Sequence, residues 1–472
     1  MKCMAARFAR VWVATLAIFG MSCFPGISPA LEAAGSAGQE AAPEQPSEQL
    51  TTVQPAALHD TLAAYVDNGD PTFSWKLLQS TPVSGQGMLY SLSLTSQTWQ
   101  DLVWEHRLKL FVPARWENKD LALLYITGSS EDPAEQLYMA MLANATGAAV
   151  GILYDVPNQP IFGGLYEDAA IAYTFKRFLD TKDPTWPLLL PMTKSAVRAM
   201  DALQEFAQKQ FRTPLKGFVV FGASKRGWTT WLVGAVDQRV KGIAPMVYNN
   251  LNLARQMQRQ LEAFGSFSAQ IGDYTALGLT DITSSPVGAA LMAVVDPYTF
   301  RDQLLQPKLI IIGTNDPYWP TDALSVYYDE LKGRNYILAI PNAGHGLSDY
   351  ETLLTSVAAF YLDVAGKLRL PEIRWSYSEG QDGAELKVAE APGIARVEFW
   401  MATSGSADFR WARWTQVQSV AKPPFTQKLN RLPGSWVGVF AQVTVGLGGQ
   451  EATFSTPIFL LPDEATGQQT SQ

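Results

Sequence analysis

Five short runs of this chain are almost continuously apolar: residues 121–126, 148–154, 217–221, 242–247 and 308–312. A strand with one wet face alternates apolar and polar side chains, whereas an unbroken apolar run fits a strand covered on both faces. Helical patterns lie between and around these runs, over residues 134–144, 168–178, 195–210 and 225–236. Strands alternating with helices at this spacing predict an α/β fold, a mostly parallel sheet with helices on both faces. A short helix over 59–65 precedes three alternating runs, 72–78, 87–95 and 102–111, which predict antiparallel strands leading into that sheet. Residues 249–305 are too long for a simple crossover and predict a cap inserted before the last strands. After Pro371 the helical period disappears. Runs at 372–377, 384–389, 396–402, 411–419 and 436–445, separated by Gly, Pro, Ser and Asp, predict a small all-β immunoglobulin-like sandwich over 371–462.

The chain has 472 residues, enough for two domains and a targeting segment. Lys2, Arg7 and Arg10, an apolar core over 11–23 and the small-residue site Ser28-Pro29-Ala30 predict a signal peptide over 1–30, hence a periplasmic or secreted protein. Both cysteines, Cys3 and Cys23, fall inside it, so a chain cleaved after Ala30 has no disulfide, no Cys nucleophile and no thiolate metal site. Gly20-Met21-Ser22-Cys23 loosely resembles a lipoprotein processing site, which makes a lipid anchor at Cys23 the alternative, although Gly20 stands where such sites carry Leu. Residues 31–58 read as a flexible linker and 463–472 as a disordered tail, which leaves 59–370 for the α/β domain. A net charge of −8 without basic runs argues against nucleic acid or an anionic membrane as the main partner. Beyond the signal no segment reaches the roughly 18 apolar residues of a stable membrane span. No phosphate-binding glycine loop and no metal-ligand constellation is visible, so no cofactor is expected.

Between the run at 217–221 and the helix at 225–236 stands Gly222-Ala223-Ser224-Lys225-Arg226-Gly227. So tight a strand-to-helix turn projects its apex residue, Ser224, above the sheet and puts the Lys225 N–H at a helix N-terminus, where an oxyanion is favoured. The usual G-x-S-x-G spacing is altered, because Arg226 occupies the last glycine position and Gly227 follows one later. A serine hydroxyl needs a base, and the chain has three histidines. His59 borders the linker and His106 sits within an early strand, whereas His345 lies in the glycine-flanked loop 342–346 after a strand-like run at 336–340. Asp316, on the loop after 308–312, is the acid in preference to Asp322 and Asp349. The order Ser, Asp, His is that of α/β-hydrolases. Ser129, in the turn after 121–126, is expected to supply a second oxyanion N–H. Trp228, Trp319 and Arg226 are expected to shape the substrate pocket, with core packing the competing role for Trp228. Lys225 and Arg226 could bind a substrate carboxylate, but a salt bridge to a nearby acid is the favoured role for both.

The run 222–231, with Thr127-Gly128, Asp296-Pro297-Tyr298, Asn315-Asp316-Pro317-Tyr318-Trp319 and Asn342-Ala343-Gly344-His345, resembles the PhoPQ-activated pathogenicity-related protein family over roughly residues 60–460. That resemblance implies an exported α/β-hydrolase with Ser224 as nucleophile and Asp316 and His345 as its partners. The expected chemistry is acyl transfer from a small ester or peptide through an acyl-enzyme. A dipeptidyl-type exopeptidase would further need paired carboxylates for the substrate's amino terminus, at Glu131-Asp132 or Glu167-Asp168. A non-catalytic binding protein on the same scaffold is the rival of a different class.

Overall fold

The computed structural model describes residue 58 and residues 60–463. The expected signal peptide, Cys23, all of the expected linker except Leu58, His59, and residues 464–472 of the expected tail lie outside the described residues. Leu58 itself is buried against the core rather than free.

After helix α1 (Thr61–Val66), three long strands form an antiparallel meander: β1 (Ser74–Val83), β2 (Gly87–Trp99) and β3 (Leu102–Pro113). The parallel sheet follows, with β4 (Asn118–Ile126), β5 (Ala148–Leu153), β6 (Gly217–Ala223), β7 (Val240–Met246), β8 (Lys308–Gly313) and β9 (Asn335–Ile340). Their spatial order is β1-β2-β3-β5-β4-β6-β7-β8-β9. From β4 the chain steps outward to β5 and then returns to place β6 on the other side of β4, so the sheet order reverses between β4 and β6. Open α/β sheets bind ligands at such a reversal, beyond the carboxyl ends of the strands. With its cap, this is the α/β-hydrolase fold.

The unbroken apolar runs have a direct cause. Phe218 and Val220 of β6 face one buried cluster, while Val219 and Phe221 face a second. Helices α4 (Leu189–Phe211) and α5 (Lys225–Val236) cover the first face; α2 (Pro133–Thr146) and α9 (Tyr350–Val364) cover the second. Helix α3 (Glu167–Thr181) adds to the first face. Helix α4 begins at Leu189, six residues before the periodicity suggests, because Leu188, Leu189 and Leu190 are buried and Pro191 falls in the first turn, where a missing N–H is harmless. The cap comprises α6 (Leu253–Phe264), the single turn α7 (Gly272–Ala276) and α8 (Pro286–Val295). Asp296 ties it together: its buried carboxylate accepts the N–H groups of Asn252 and Leu253 at the start of α6, and of Tyr298. Burial raises its pKa to about 6, against the pull of those donors.

The C-terminal region is a sandwich of short strands, but its larger sheet does not end at the α/β boundary. Strands β12 (Ile394–Ser404), β13 (Thr415–Val420), β15 (Trp436–Gly446) and β16 (Glu451–Ser455) extend the central sheet, with β16 antiparallel to β9. A three-stranded sheet of β10 (Trp375–Glu379), β11 (Gly383–Val388) and β14 (Phe425–Asn430) forms the other layer, and the short β17 (Phe459–Leu461) pairs with β15. The expected strand over 411–419 starts only at Thr415. Residues 405–414 instead form a loop that reaches back to the α/β part, with Trp411 88% exposed.

The junction is well bonded. Ser455 Oγ accepts the Ala339 N–H at 3.0 Å, Gln442 Nε2 donates to the Ala339 carbonyl at 3.0 Å, and the Phe454 ring packs 5.3 Å from Tyr336. Phe454 is fully buried. Its truncation to Ala is expected to lower stability by about 3–5 kcal/mol, and both regions are expected to unfold in one transition. Denaturant titration followed by far-UV and near-UV dichroism measures this, and two separate transitions would show independent domains.

Candidate active site

Strand β6 ends and α5 begins within one residue, and that residue is Ser224. Its backbone is forced to φ 58° and ψ −123°, a conformation that costs a non-glycine residue about 1–3 kcal/mol. Two hydrogen bonds hold it, Ser224 N–H to the Met246 carbonyl at 2.9 Å and Trp228 N–H to the Ser224 carbonyl at 3.0 Å. The turn closes because two glycines allow it. A Cβ on Gly222 would stand 2.8 Å from the Arg226 carbonyl oxygen, and one on Gly227 2.7 Å from that of Met246. The first-turn amides of α5, starting at Lys225, have no acceptor within the helix, as at any helix N-terminus.

Two other loops converge on the serine. His345 Nε2 lies 2.8 Å from Ser224 Oγ, and His345 Nδ1 lies 2.8 Å from Asp316 Oδ2. Asp316 is buried, and its other oxygen accepts the Tyr318 N–H at 2.9 Å. A carboxylate on Nδ1 fixes the tautomer that leaves Nε2 as an acceptor for the serine proton. The Tyr318 ring stacks on the imidazole at 4.2 Å. The loops carrying Asp316 and His345 are themselves joined: Thr314 Oγ1 donates to Asn315 Oδ1 and accepts the Asn342 N–H, both at 2.8 Å.

The sandwich loop 405–414 clasps both of these loops. Asn315 Nδ2 donates to the carbonyls of Phe409, Arg410 and Ala412; Asn342 Nδ2 donates to the Trp414 carbonyl, and Asn342 Oδ1 accepts the Trp414 N–H. Arg410 also lies over the ring of Phe264 at the end of cap helix α6, 3.7 Å from its centroid. Sequence reasoning gave neither asparagine a role, since nothing local distinguishes a clasp from an ordinary turn residue.

The rival residues have other work. Asp322 pairs with Arg259 at 2.9 Å, and Asp349 caps the start of α9. His106 also meets a serine: its Nε2 is 3.0 Å from Ser96 Oγ, which is 3.1 Å from Ser195 Oγ. All three are buried, and burial lowers the His106 pKa to about 4, so this cluster is a neutral core network without access for a substrate.

Two of the expected site residues are placed differently. The Ser129 amide donates to Thr127 Oγ1 at 3.2 Å and its hydroxyl to Glu135 at 2.6 Å, so its N–H is already engaged. Arg226 does not line the pocket but makes a salt bridge to a nearby acid, its favoured role. Its guanidinium runs beneath Gly128, where a Cβ would come within 1.8 Å of Nη2, donates to the Val156 carbonyl and grips Glu167 with both terminal nitrogens, at 2.5 and 2.6 Å. That slot lets a side chain stand where the turn usually has glycine. Burial opposes charge on Glu167, but Arg226 outweighs it and holds its pKa below the ordinary value. Lys225 is likewise penalised by burial, yet Asp168 at 2.5 Å keeps its ammonium charged. Asp168 also accepts from Tyr274 at 3.0 Å. Glu131 pairs with Lys109 at 2.9 Å. Of the carboxylates considered for an amino terminus, Glu131, Glu167 and Asp168 thus already hold cations.

Trp228 and Trp319 do line a pocket that opens beside Ser224, between α5 and the cap. Trp228 stacks on Tyr248 at 4.8 Å and donates to the Val295 carbonyl at 2.6 Å. Among the described residues no group of three or more His, Cys, Asp or Glu is arranged to hold a metal, and no helix is long and apolar enough to cross a membrane.

A sequence model of the PhoPQ-activated pathogenicity-related protein family matches residues 62–410. The chain is 32% identical over 377 residues to autocrine proliferation repressor protein A of Dictyostelium discoideum, covering 73% of this chain and 75% of that protein. Among solved structures it is similar to an acetyl xylan esterase from Paenibacillus sp. R4, at 15% identity and a TM-score of 0.46 over 66% of this chain and 96% of the other. It is also similar to acetyl xylan esterase 1 from Thermoanaerobacterium sp. JW/SL YS485, at 16% identity and a TM-score of 0.45 over 66% and 93%.

The Arg226–Glu167 pair gives a pH signature. A glutamate whose folded pKa lies below its unfolded value adds stability above that unfolded value, 4.5, and loses it as the pH falls through the folded one. Glu167→Gln is therefore expected to be less stable at neutral pH by about 1–2 kcal/mol, a figure reduced for the partial exposure of Glu167. The gap from the parent protein is expected to shrink below pH 4.5, which melting temperatures across an acid series will show.

Proposed function

The chain belongs to the PhoPQ-activated pathogenicity-related protein family, and from that premise we propose that it is an exported serine hydrolase acting on an ester or peptide bond. The observation that carries the reading is the continuous chain from Ser224 Oγ through His345 to Asp316, two contacts of 2.8 Å, at a strained strand-to-helix turn. Strain of this kind persists only where surrounding structure enforces it, and it clusters at functional sites.

His345 Nε2 takes the Ser224 proton as Oγ attacks the substrate carbonyl, and Asp316 stabilises the imidazolium that forms. The negative charge on the carbonyl oxygen falls at the N-terminus of α5, where the Lys225 N–H is the first donor. His345 then returns the proton to the leaving group, and water attacks the acyl-enzyme by the reverse route. The amide of Ser129 is left out of this scheme because Thr127 already engages it. Export rests on the N-terminal pattern of Lys2, Arg7, Arg10 and the apolar stretch over 11–23, with Cys23 the point of a lipid anchor if that site is processed instead.

A second reading is favoured by the relative's name, an autocrine proliferation repressor: a secreted signalling protein on this scaffold whose effect needs no turnover. Covalent labelling separates the two. A fluorophosphonate probe is expected to label the mature protein, and neither Ser224→Ala nor His345→Ala. A folded protein that never labels would sink the hydrolase reading in favour of the signalling one.

Because Asn315, the neighbour of Asp316, ties their loop to the sandwich loop, Asn315→Ala is expected to slow labelling by about tenfold or more while the fold is kept. Small displacements of a catalytic group have effects of this order. An unchanged rate, read from the time course of probe incorporation, would mean that the clasp is not needed to position the acid.

A further inference from the structure

The pocket beside Ser224 contains about 660 Å³ of empty space, part of it open to solvent. We propose that it receives the acyl side of the substrate and that the group it selects is an uncharged aromatic ring. This rests on the hydrolytic reading above and names the substrate class for it.

The side of the scissile bond follows from which residues meet the pocket. Ser224 and Lys225, the nucleophile and the first oxyanion donor, stand in its wall, whereas His345 does not. The leaving group must lie against His345 Nε2 to receive its proton, so the group that enters the pocket is the one that stays bonded to the carbonyl carbon.

The chemistry of that group follows from the walls. Six rings contribute: Phe175, Trp228, Tyr248, Tyr274, Tyr318 and Trp319. They are fixed in advance by one another and by the backbone. Trp228 stacks on Tyr248, Tyr248 meets Trp319 edge-on at 6.1 Å, and Phe175 meets Trp228 edge-on at 5.9 Å. Aromatic pairs gain from offset and edge-to-face geometry beyond the area they bury, and rings already held in place lose little freedom on binding. The cap adds the apolar side chains of Leu253, Met257, Leu291 and Met292. The acid and base in the lining, Asp168 and Lys225, neutralise each other at 2.5 Å. A charged substituent would therefore lose its hydration and find no free counter-ion.

The test compares p-nitrophenyl 3-phenylpropanoate, octanoate and acetate on the full chain, with fluorophosphonate labelling as the control for the active serine. The aryl ester is expected to exceed both alkyl esters in kcat/KM by at least about tenfold, the scale on which apolar pockets discriminate. Met292→Trp, which fills the pocket from the cap, is expected to reduce that ratio by about the same factor. A measurement independent of turnover is calorimetry of Ser224→Ala with 3-phenylpropanamide and octanamide, which keeps the test valid even if the tryptophan variant fails to fold. Tighter binding of the aryl amide supports the proposal. A protein that labels at Ser224 but prefers the octanoyl or acetyl ester, or whose Ser224→Ala variant binds octanamide as tightly as the aryl amide, overturns it and leaves the hydrolytic reading standing. Aryl amide binding without any labelling of the parent protein supports the ring specificity and overturns the hydrolytic reading.

Discussion

Everything at this site depends on how closely α5 can approach the sheet. The helix starts one residue after β6 ends, so Ser224 must take a backbone conformation that an L-residue avoids. The close approach is possible because Gly222 and Gly227 leave no side chain where carbonyl oxygens of Arg226 and Met246 come near. A similar constraint acts on the next loops. A Cβ on Gly313 would lie 2.5 Å from the carbonyl oxygens of Ala343 and Gly344, so the end of β8 and the histidine loop touch only because that residue is glycine. This contact and the Thr314 bridge hold the loops that bring Asp316 and His345 within hydrogen-bonding distance.

Charge follows the same geometry. Arg226, in the usual position of a glycine, needs the space left by Gly128 and the carboxylate of Glu167 to be tolerated beneath the turn. Lys225 needs Asp168. Each cation is deeply buried, and an unpaired one would cost several kcal/mol. Glu167 and Asp168 are thus consumed in stabilising the turn, which removes them from the role of receiving a free amino group. The charge neutrality of the adjacent pocket follows from the Lys225–Asp168 pair.

Much of the α/β region was legible because two-sided burial leaves a plain trace. Val219 and Phe221 facing one helical layer while Phe218 and Val220 face the other can only read as an unbroken apolar run. The serine turn was legible from its glycines, and His345 and Asp316 from chain order, so the structure brings these three together at the positions the order suggests. What was not legible depends on contacts distant in sequence. Which acid Arg226 pairs with is decided by the space at Gly128 and by Glu167, and the engagement of the Ser129 amide by the Thr127 hydroxyl. The shift of a strand from residue 411 to Thr415 goes with the bonds of Asn315 and Asn342, 97 and 72 residues upstream of their partners Ala412 and Trp414, which hold the preceding loop out of the sheet. Local propensity carries no record of such partners.

Those asparagines also change what the C-terminal region is. A sandwich attached by a linker could bind a partner and leave the chemistry alone. Here β16 lies along β9, the strand whose end leads to His345, and the loop before β13 holds the residue next to Asp316. The same loop touches the cap through Arg410 and Phe264. Two of the three loops that assemble the site, and the lid over its pocket, are therefore braced by one segment of the sandwich. A change in the sandwich that moves residues 405–414 moves Asp316 and His345 with it, whereas Ser224, fixed by β6 and α5, stays in place. Displacement of Asp316 and His345 from an intact serine turn is the consequence this architecture carries for lesions far from Ser224 in sequence.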